Sequence, residues 1–273
     1  MLTKKKEINM KNTLMATVAA LFVAGSATAA ELGGSIGVEV TENAAGDYVA
    51  ETTLGIGAST ETGVGLAFGG FVFESVDGDD LTVDEWQLGL NFGQVSASIG
   101  EQDDIFVEGT FEIVGEDTLA LPEDDEVESV IVQWGSVSGF VGFEDITTDI
   151  SEIRNVQLAY SNDVGAFDYH AAVDYSDNTE ETTVGFAGGY DVTADVSVGG
   201  VATYAFDAEA FGYEATAGYK FATVFVNGSD DDAFENLGGG VNYDFDNLNV
   251  YAEASYNIND EDTTVGMGVS LNF

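Results

Sequence analysis

Apolar and polar residues alternate one by one over much of this chain. The final segment, TTVGMGVSLNF at 263–273, shows this pattern without interruption up to an aromatic last residue, Phe273. The same period of two recurs at 86–92, 167–175, 237–245 and 248–258. Successive side chains of a β-strand point to opposite faces, so the pattern predicts strands with one apolar and one polar face.

The alternating segments number about sixteen between residues 32 and 273, although fourteen or eighteen strands would also fit. Short and longer connections follow each other along the chain. The predicted tight connections are Phe92-Gly93-Gln94, Gly135-Ser136, Asn162-Asp163, Lys220-Phe221 and Asp246. Outer-membrane barrels alternate short periplasmic turns with longer external loops, and an even strand number puts both termini on the periplasmic side.

A water-soluble sandwich would show the same alternation, with the apolar face as its core. The distribution of acidic residues favours a membrane barrel, because the middle of the apolar register avoids Asp and Glu. The acids lie in connections or on the other register, as do Glu39, Glu51, Asp168, Glu214, Asp244 and Glu253. We therefore predict an all-β fold, a transmembrane antiparallel β-barrel with lipid outside and water inside.

The first 29 residues have the layout of a secretory signal peptide. Four lysines precede an apolar run from Leu14 to Gly25, and Ala27-Thr28-Ala29 offers a cleavage site. Met10 is a second possible start, and an N-terminal anchor helix is the alternative interpretation. We predict a signal peptide at 1–29 and one barrel domain at 30–273.

The charge of the chain is strongly acidic, with 50 Asp and Glu residues against six Lys and Arg. Cleavage after Ala29 leaves 49 acidic residues against Arg154 and Lys220, a net charge near −47. Nucleic acid is excluded as a partner by like-charge repulsion, whereas cations are favoured. The sequence has no cysteine, which excludes disulfides and thiolate metal sites.

Four features together resemble the Gram-negative general porins, especially those of alphaproteobacterial type. They are the leader, the opening AELGGSIGVEV, the run WQLGLNFGQVSASIGEQDDIF and the terminal Phe273. The resemblance implies a trimer of sixteen-stranded channels for passive diffusion of small hydrophilic solutes. It also implies that Phe273 is part of an assembly signal read by the outer-membrane assembly machinery.

The longest predicted connection, Glu101 to Glu126, is the third external one and contains many apolar residues that need a packing surface. In the resembled family the third loop folds into the barrel and narrows it. We predict the same here, with these acids at the constriction: Asp103, Asp104, Glu108, Glu112, Glu116 and Asp117. An exposed acidic loop, or an extra hairpin at 105–114, is the alternative.

The predicted lumen wall includes Asp168, His170 and Glu253, which lie on the polar register. The resembled porins oppose their loop acids with an arginine cluster, but the only basic residues after position 29 are Arg154 and Lys220. A cation-preferring channel is therefore expected. His170 is the only histidine, and no Ser or Asp partner for hydrolysis is evident, so we expect no enzyme; a barrel hydrolase is a third hypothesis.

Acidic clusters in the connections offer hard oxygen ligands without matching a known calcium loop. They are Asp77-Gly78-Asp79-Asp80, Glu123-Asp124-Asp125-Glu126, Asp230-Asp231-Asp232 and Asp260-Glu261-Asp262. No cofactor is required by this interpretation, but Ca²⁺ binding is possible, and solvated loop charge is the simpler alternative. The second functional hypothesis is a structural or adhesive barrel whose acidic loops bind ions and which transports nothing.

Overall fold

The computed structural model describes residues 31–42, 48–62, 65–76, 81–106, 127–146, 149–177, 179–230 and 232–273. The predicted signal peptide and residues 107–126 of the third long connection lie outside the described part. Within it, the regular structure consists of sixteen strands. They are β1 (Glu31–Glu42), β2 (Tyr48–Glu61), β3 (Leu66–Val76), β4 (Thr82–Asn91), β5 (Val95–Gln102), β6 (Val127–Trp134), β7 (Val137–Asp145), β8 (Asp149–Val164), β9 (Phe167–Ser176), β10 (Glu181–Thr193), β11 (Val196–Ala205), β12 (Ala210–Tyr219), β13 (Ala222–Ser229), β14 (Asn236–Phe245), β15 (Leu248–Asn257) and β16 (Asp262–Asn272).

The strands form one closed barrel in which each strand pairs with its sequence neighbours, and β1 pairs with β16. All sixteen pairings are antiparallel; the closing one runs from Ser35 opposite Asn272 to Thr41 opposite Gly266. Closure leaves no sheet edge with unpaired backbone groups. The predicted all-β barrel of sixteen strands is thereby confirmed. No helix in the described residues is long and apolar enough to cross a membrane.

The connections separate into a tight end and a loop end of the barrel. Seven connections of two to four residues, from 62–65 to 246–247, share the tight end with the start of β1 and the end of β16. The other eight lie at the loop end, and 103–126 is the longest of them. The turn expected at Asn162-Asp163 is instead Gly165-Ala166, since β8 continues to Val164. Gly165 has a φ of +72°, which glycine adopts without strain.

Polarity in this barrel is the reverse of that in a water-soluble protein. Apart from glycine, twelve of the buried residues described are polar or charged, against nine apolar ones. Large apolar side chains are instead exposed on the outer face, for example Leu158 at 55%, Phe186 at 47% and Met267 at 53%. An exposed apolar band around a closed sheet is the surface that a lipid bilayer covers.

Exposed aromatic side chains collect near both ends of the strands. At the tight end they include Trp134, Tyr219, Phe221, Tyr243 and Phe245. The rings of Phe221, Tyr243 and Phe245 contact one another in sequence, with centroids 6.0 and 4.4 Å apart. Near the loop end, Tyr204 and Phe206 pack edge to face at 5.1 Å. Two aromatic girdles flanking an apolar band are typical of outer-membrane barrels.

Candidate functional site

The inner face of the barrel is defined by the alternation of burial along β8. Gln157 and Ala159 are each only 2% exposed, whereas Leu158 and Tyr160 between them are exposed. Following the strand pairings from β8 around the ring assigns the inner register of each strand. Gln157 is opposite Asp174 on β9, and Asp174 is opposite Thr183 on β10; both are almost fully buried.

The start of the third long connection lies inside the barrel. After β5 the chain turns inward at 103–106, and Phe106 becomes 5% exposed. Its side chain belongs to one apolar cluster with Ala159, Ala172 and Val201, which are inner-face residues of β8, β9 and β11. Contact with the inner faces of three strands requires Phe106 to lie within the ring.

Hydrogen bonds attach this segment to the wall. Gln157 accepts a bond from the Ile105 amide at 2.9 Å, and its own amide donates to Asp104 Oδ2 at 2.5 Å. His170 Nε2 lies 3.1 Å from the Ile105 carbonyl oxygen, and His170 Nδ1 lies 2.7 Å from Ser161 Oγ. One glutamine and one histidine thus hold both backbone polar groups of Ile105 against β8 and β9.

The predicted site residues are distributed as follows. Asp103 and Asp104 lie on the inward segment, and Asp104 participates in the docking. Asp168 and His170 share the inner register of β9, and Glu253 lies on the inner register of β15. The remaining predicted constriction acids, Glu108, Glu112, Glu116 and Asp117, lie outside the described residues.

Gln157, Ser161 and Phe106 were not singled out from the sequence as docking residues. Gln157 and Ser161 are ordinary polar positions of an alternating strand, and Phe106 is one of several apolar residues in the long connection. The only sequence signal among the three is that Phe106 is an apolar residue just after a predicted strand. That signal does not specify the surface on which the side chain packs.

The inner wall differs in exposure around the ring. Several inner-face polar residues between β6 and β14 are buried, among them Ser129, Asp174, Thr203, Glu214 and Asn227. Others on the inner register of the same strands are exposed, such as Asp168, Asp191 and Asp244. On the opposite side Glu39, Glu51, Tyr251 and Glu253 remain partly exposed. Partly exposed carboxylates therefore line the inner wall from β15 through β1 to β2.

Three inner-face aromatic rings lie against glycines of adjacent strands. Phe68 covers Gly89, Phe225 covers Gly238 and Tyr251 covers Gly268, so close that a Cβ on any of these glycines would collide with the ring. A ring lying flat over glycine occupies the wall and not the centre of the barrel. These pairs keep large inner side chains out of the enclosed space.

The two basic residues that follow the predicted leader are not on the inner register. Arg154 has the same register as the exposed Val156 of β8, and Lys220 lies in the turn between β12 and β13. The Lys220 ammonium lies 5.3 Å from the centre of the Tyr219 ring, as in a cation–π contact. The inner face of the described strands therefore carries carboxylates without lysine or arginine.

Two chemical alternatives can be examined on these residues. Ser161 and His170 form the hydrogen-bonded pair that a hydrolase needs, but the other His170 nitrogen faces the Ile105 carbonyl and no orienting carboxylate. Within the described residues, no group of three or more His, Cys, Asp or Glu side chains is arranged to hold a metal ion. The Ca²⁺ prediction concerns clusters that lie partly outside this range.

The fold is that of a porin-type barrel. The chain is similar to a solved mutant porin of Rh. blastica, with 15% identity, a TM-score of 0.68, and coverage of 90% of this chain and 100% of that one. A triple mutant of the Rhodopseudomonas blastica porin gives 17% identity and a TM-score of 0.66 over 90% of this chain and 100% of that one.

A third similar structure is OmpT with loop L8 deleted, an outer membrane protein of Vibrio cholerae. It is 16% identical, with a TM-score of 0.65 and coverage of 90% of this chain and 99% of that one. Comparison with protein-family models and with curated proteins finds no match. At these identities the similarity establishes the fold, and the function has to be argued from the site.

Proposed function

We propose that this protein is an outer-membrane porin that lets small hydrophilic solutes and ions diffuse passively through a water-filled lumen. The observation that carries the proposal is the closed ring of sixteen strands with an apolar outer face and a partly exposed acidic inner wall. Sixteen-stranded barrels are wide enough to contain an aqueous channel. The similarity in fold to solved porins supports the same function.

The narrowest part of the channel is proposed to be formed by the third long connection. Its start is anchored inside the ring by Phe106 and Gln157, which supports this proposal. Asp103 and Asp104 contribute negative charge there. We propose that four further acids of the connection extend this charged constriction: Glu108, Glu112, Glu116 and Asp117. The wall around it is lined by Asp168, His170 and Glu253.

The channel is proposed to prefer cations. Fixed carboxylates concentrate cations and repel anions, and no inner-face lysine or arginine in the described strands offsets them. An acidic lumen also lowers the local concentration of anionic solutes, so neutral and cationic hydrophilic molecules are the expected cargo.

The surroundings of the barrel follow from the same proposal. The mature chain resides in the outer membrane of a Gram-negative cell, exported by the segment 1–29 and inserted by the assembly machinery that reads Phe273. A homotrimer is expected by similarity to porins. Ca²⁺ is proposed to bridge acidic connections at the loop end, with no other cofactor.

Planar-bilayer recording of the refolded mature chain tests this function. We expect stepwise conductance, a reversal potential in a KCl gradient that indicates cation preference, and a larger conductance when the Glu101–Glu126 segment is shortened. A folded barrel without conductance would instead favour the structural or adhesive alternative. Anion preference would contradict the proposed selectivity while leaving the pore intact.

A further inference from the structure

A row of partly exposed carboxylates crosses the inner wall from β15 to β4. We call it the acidic belt and define it by Glu39 on β1, Glu51 on β2, Glu74 on β3, Asp84 and Glu85 on β4, and Glu253 on β15. All six residues lie within four positions of the loop end of their strands. Glu39 is three residues from the end of β1, Glu51 is the fourth residue of β2, and Glu74 is two from the end of β3. Asp84 and Glu85 are the third and fourth residues of β4, and Glu253 is four from the end of β15.

The strand pairings make the belt contiguous. Glu39 and Glu51 are directly opposite each other in the antiparallel pair of β1 and β2. Glu51 interacts electrostatically with Asp84, and Glu74 both interacts with and hydrogen-bonds to Asp84. Glu85 interacts in turn with Asp84 and with Asp103, the first residue of the inward segment.

Tyr251 connects the other end of the belt across β16. Its hydroxyl donates to Glu39 Oε2, over Gly268, and it also interacts with Glu253 and Glu51. The ring lies on the wall because Gly268 has no side chain. The belt thus includes residues of five strands and crosses β16 at Gly268, where no side chain interrupts it.

Directly opposed carboxylates destabilise a strand pair, so the Glu39–Glu51 arrangement has an energetic cost unless mobile cations screen it. Elsewhere in the ring, the inward segment covers part of the inner wall. There Ile105 and Phe106 cover the inner face of β8, β9 and β11, and Asp174 is 1% exposed. The carboxylates of the belt remain partly exposed to the lumen, so a permeating ion can meet them.

We infer that the acidic belt is the charge-selective wall of the permeation path, so that barrel residues, and not the loop carboxylates alone, determine ion preference. This inference rests on the proposed function and assigns its selectivity to residues of β1 to β4 and β15. The belt acts by its summed field on passing ions, without a dedicated ion-binding site.

The test compares three variants that remove similar charge from different places. The belt variant is Glu39→Gln/Glu51→Gln/Glu74→Gln. The rim control is Asp207→Asn/Glu209→Gln/Asp260→Asn, which changes exposed acids of loop-end connections. The loop variant is Asp103→Asn/Asp104→Asn. Each refolded variant is recorded in planar bilayers under a KCl gradient at low and high total salt.

The belt variant is expected to lower the K⁺/Cl⁻ permeability ratio by about threefold or more at low salt, and the rim control by less than about twofold, because exposed charges are screened more strongly. An unchanged ratio in the belt variant, with a lowered ratio in the loop variant, would overturn the inference while the proposed function survives. A wild-type barrel that does not conduct would contradict both the proposed function and this inference.

Folding provides a second readout that is independent of conductance. Glu51→Gln alone removes the repulsion with Glu39, so it should raise the thermal midpoint of unfolding in detergent, more at low salt than at high salt. If the triple variant does not fold, the single variants Glu51→Gln and Glu74→Gln replace it in the bilayer measurement. A lowered midpoint for Glu51→Gln would argue against opposed, unscreened carboxylates in the belt.

Discussion

Single residues decide how the third long connection enters the barrel. Phe106 replaces solvent on the inner wall with an apolar contact, while Gln157 satisfies the amide of Ile105 and a carboxylate oxygen of Asp104. A buried polar group left without a partner costs about 1–3 kcal/mol. The docking therefore depends on Gln157, whose side-chain oxygen and nitrogen both form hydrogen bonds with the inward segment.

Replacing Phe106 by alanine should weaken the folded state by up to about 3–5 kcal/mol, the usual cost of emptying a buried phenylalanine site. Guanidinium unfolding in detergent, followed by tryptophan fluorescence, measures the loss. Phe234→Ala is the matched control, because Phe234 is 62% exposed in a loop-end connection. Equal losses in both variants would mean that Phe106 is not anchored.

The isosteric change Gln157→Glu should release the segment, because it replaces the donor to Asp104 with a second negative charge. We expect faster chymotrypsin cleavage after Phe106 and noisier single-channel current. Gln87→Glu adds the same charge on the inner face of β4, away from the docking contacts. Should the two variants be cut at the same rate as wild type, the glutamine would not be a docking residue.

Among the elements, β1 and β16 have the distinct task of closing the ring. Two backbone hydrogen bonds of 2.9 Å join Gly34 and Phe273 at the tight end of their seam. A Cβ on Gly34 would lie 2.5 Å from the Gly55 carbonyl oxygen and 2.9 Å from the Phe273 ring. The terminal aromatic ring thus occupies space that glycine leaves on the neighbouring strand.

The seam predicts different effects for two adjacent glycines. Gly34→Ala should reduce the yield of closed barrel, because the methyl group collides with backbone and ring. Gly33→Ala should be tolerated, since its Cβ would have only the Phe273 carbonyl oxygen nearby at 3.5 Å. The folded fraction is read from the different gel mobility of unheated and heated samples. Equal yields would contradict this account of closure.

At the scale of the whole molecule, the apolar residues face outward and the polar ones inward. Such a chain buries its large apolar side chains only when lipid or detergent covers the outer face. The two aromatic girdles and the apolar band between them give the barrel a fixed position relative to a bilayer.

The mature chain should therefore aggregate in plain buffer and fold in detergent micelles or lipid vesicles. Sedimentation and circular dichroism in both media provide the measurement, and refolding yield should rise steeply when micelles form. A folded monomer in buffer that is indifferent to detergent would contradict the membrane assignment.

Much of the barrel could be predicted because its pattern is local. The alternation identified the strands and their apolar face, and the connection lengths identified the two ends. Element bounds were less predictable: β8 continues through Asn162 and Asp163. Asp163 lies on the inner register, where a polar residue is as acceptable as in a turn, and Asn162 donates to the Tyr169 hydroxyl of the neighbouring strand. Of the site, Asp168, His170 and Glu253 were assigned to the polar face from the same alternation.

The sequence by itself determined which residues face lipid and that the interior is acidic, because strand periodicity and charge do not depend on partners. Only the tertiary structure decided which residues meet. Ile105 reaches Gln157 and His170 across 52 and 65 positions, and Glu39 lies under Tyr251 across 212. Such contacts arise from ring closure and register, which bring distant strands together regardless of the local pattern.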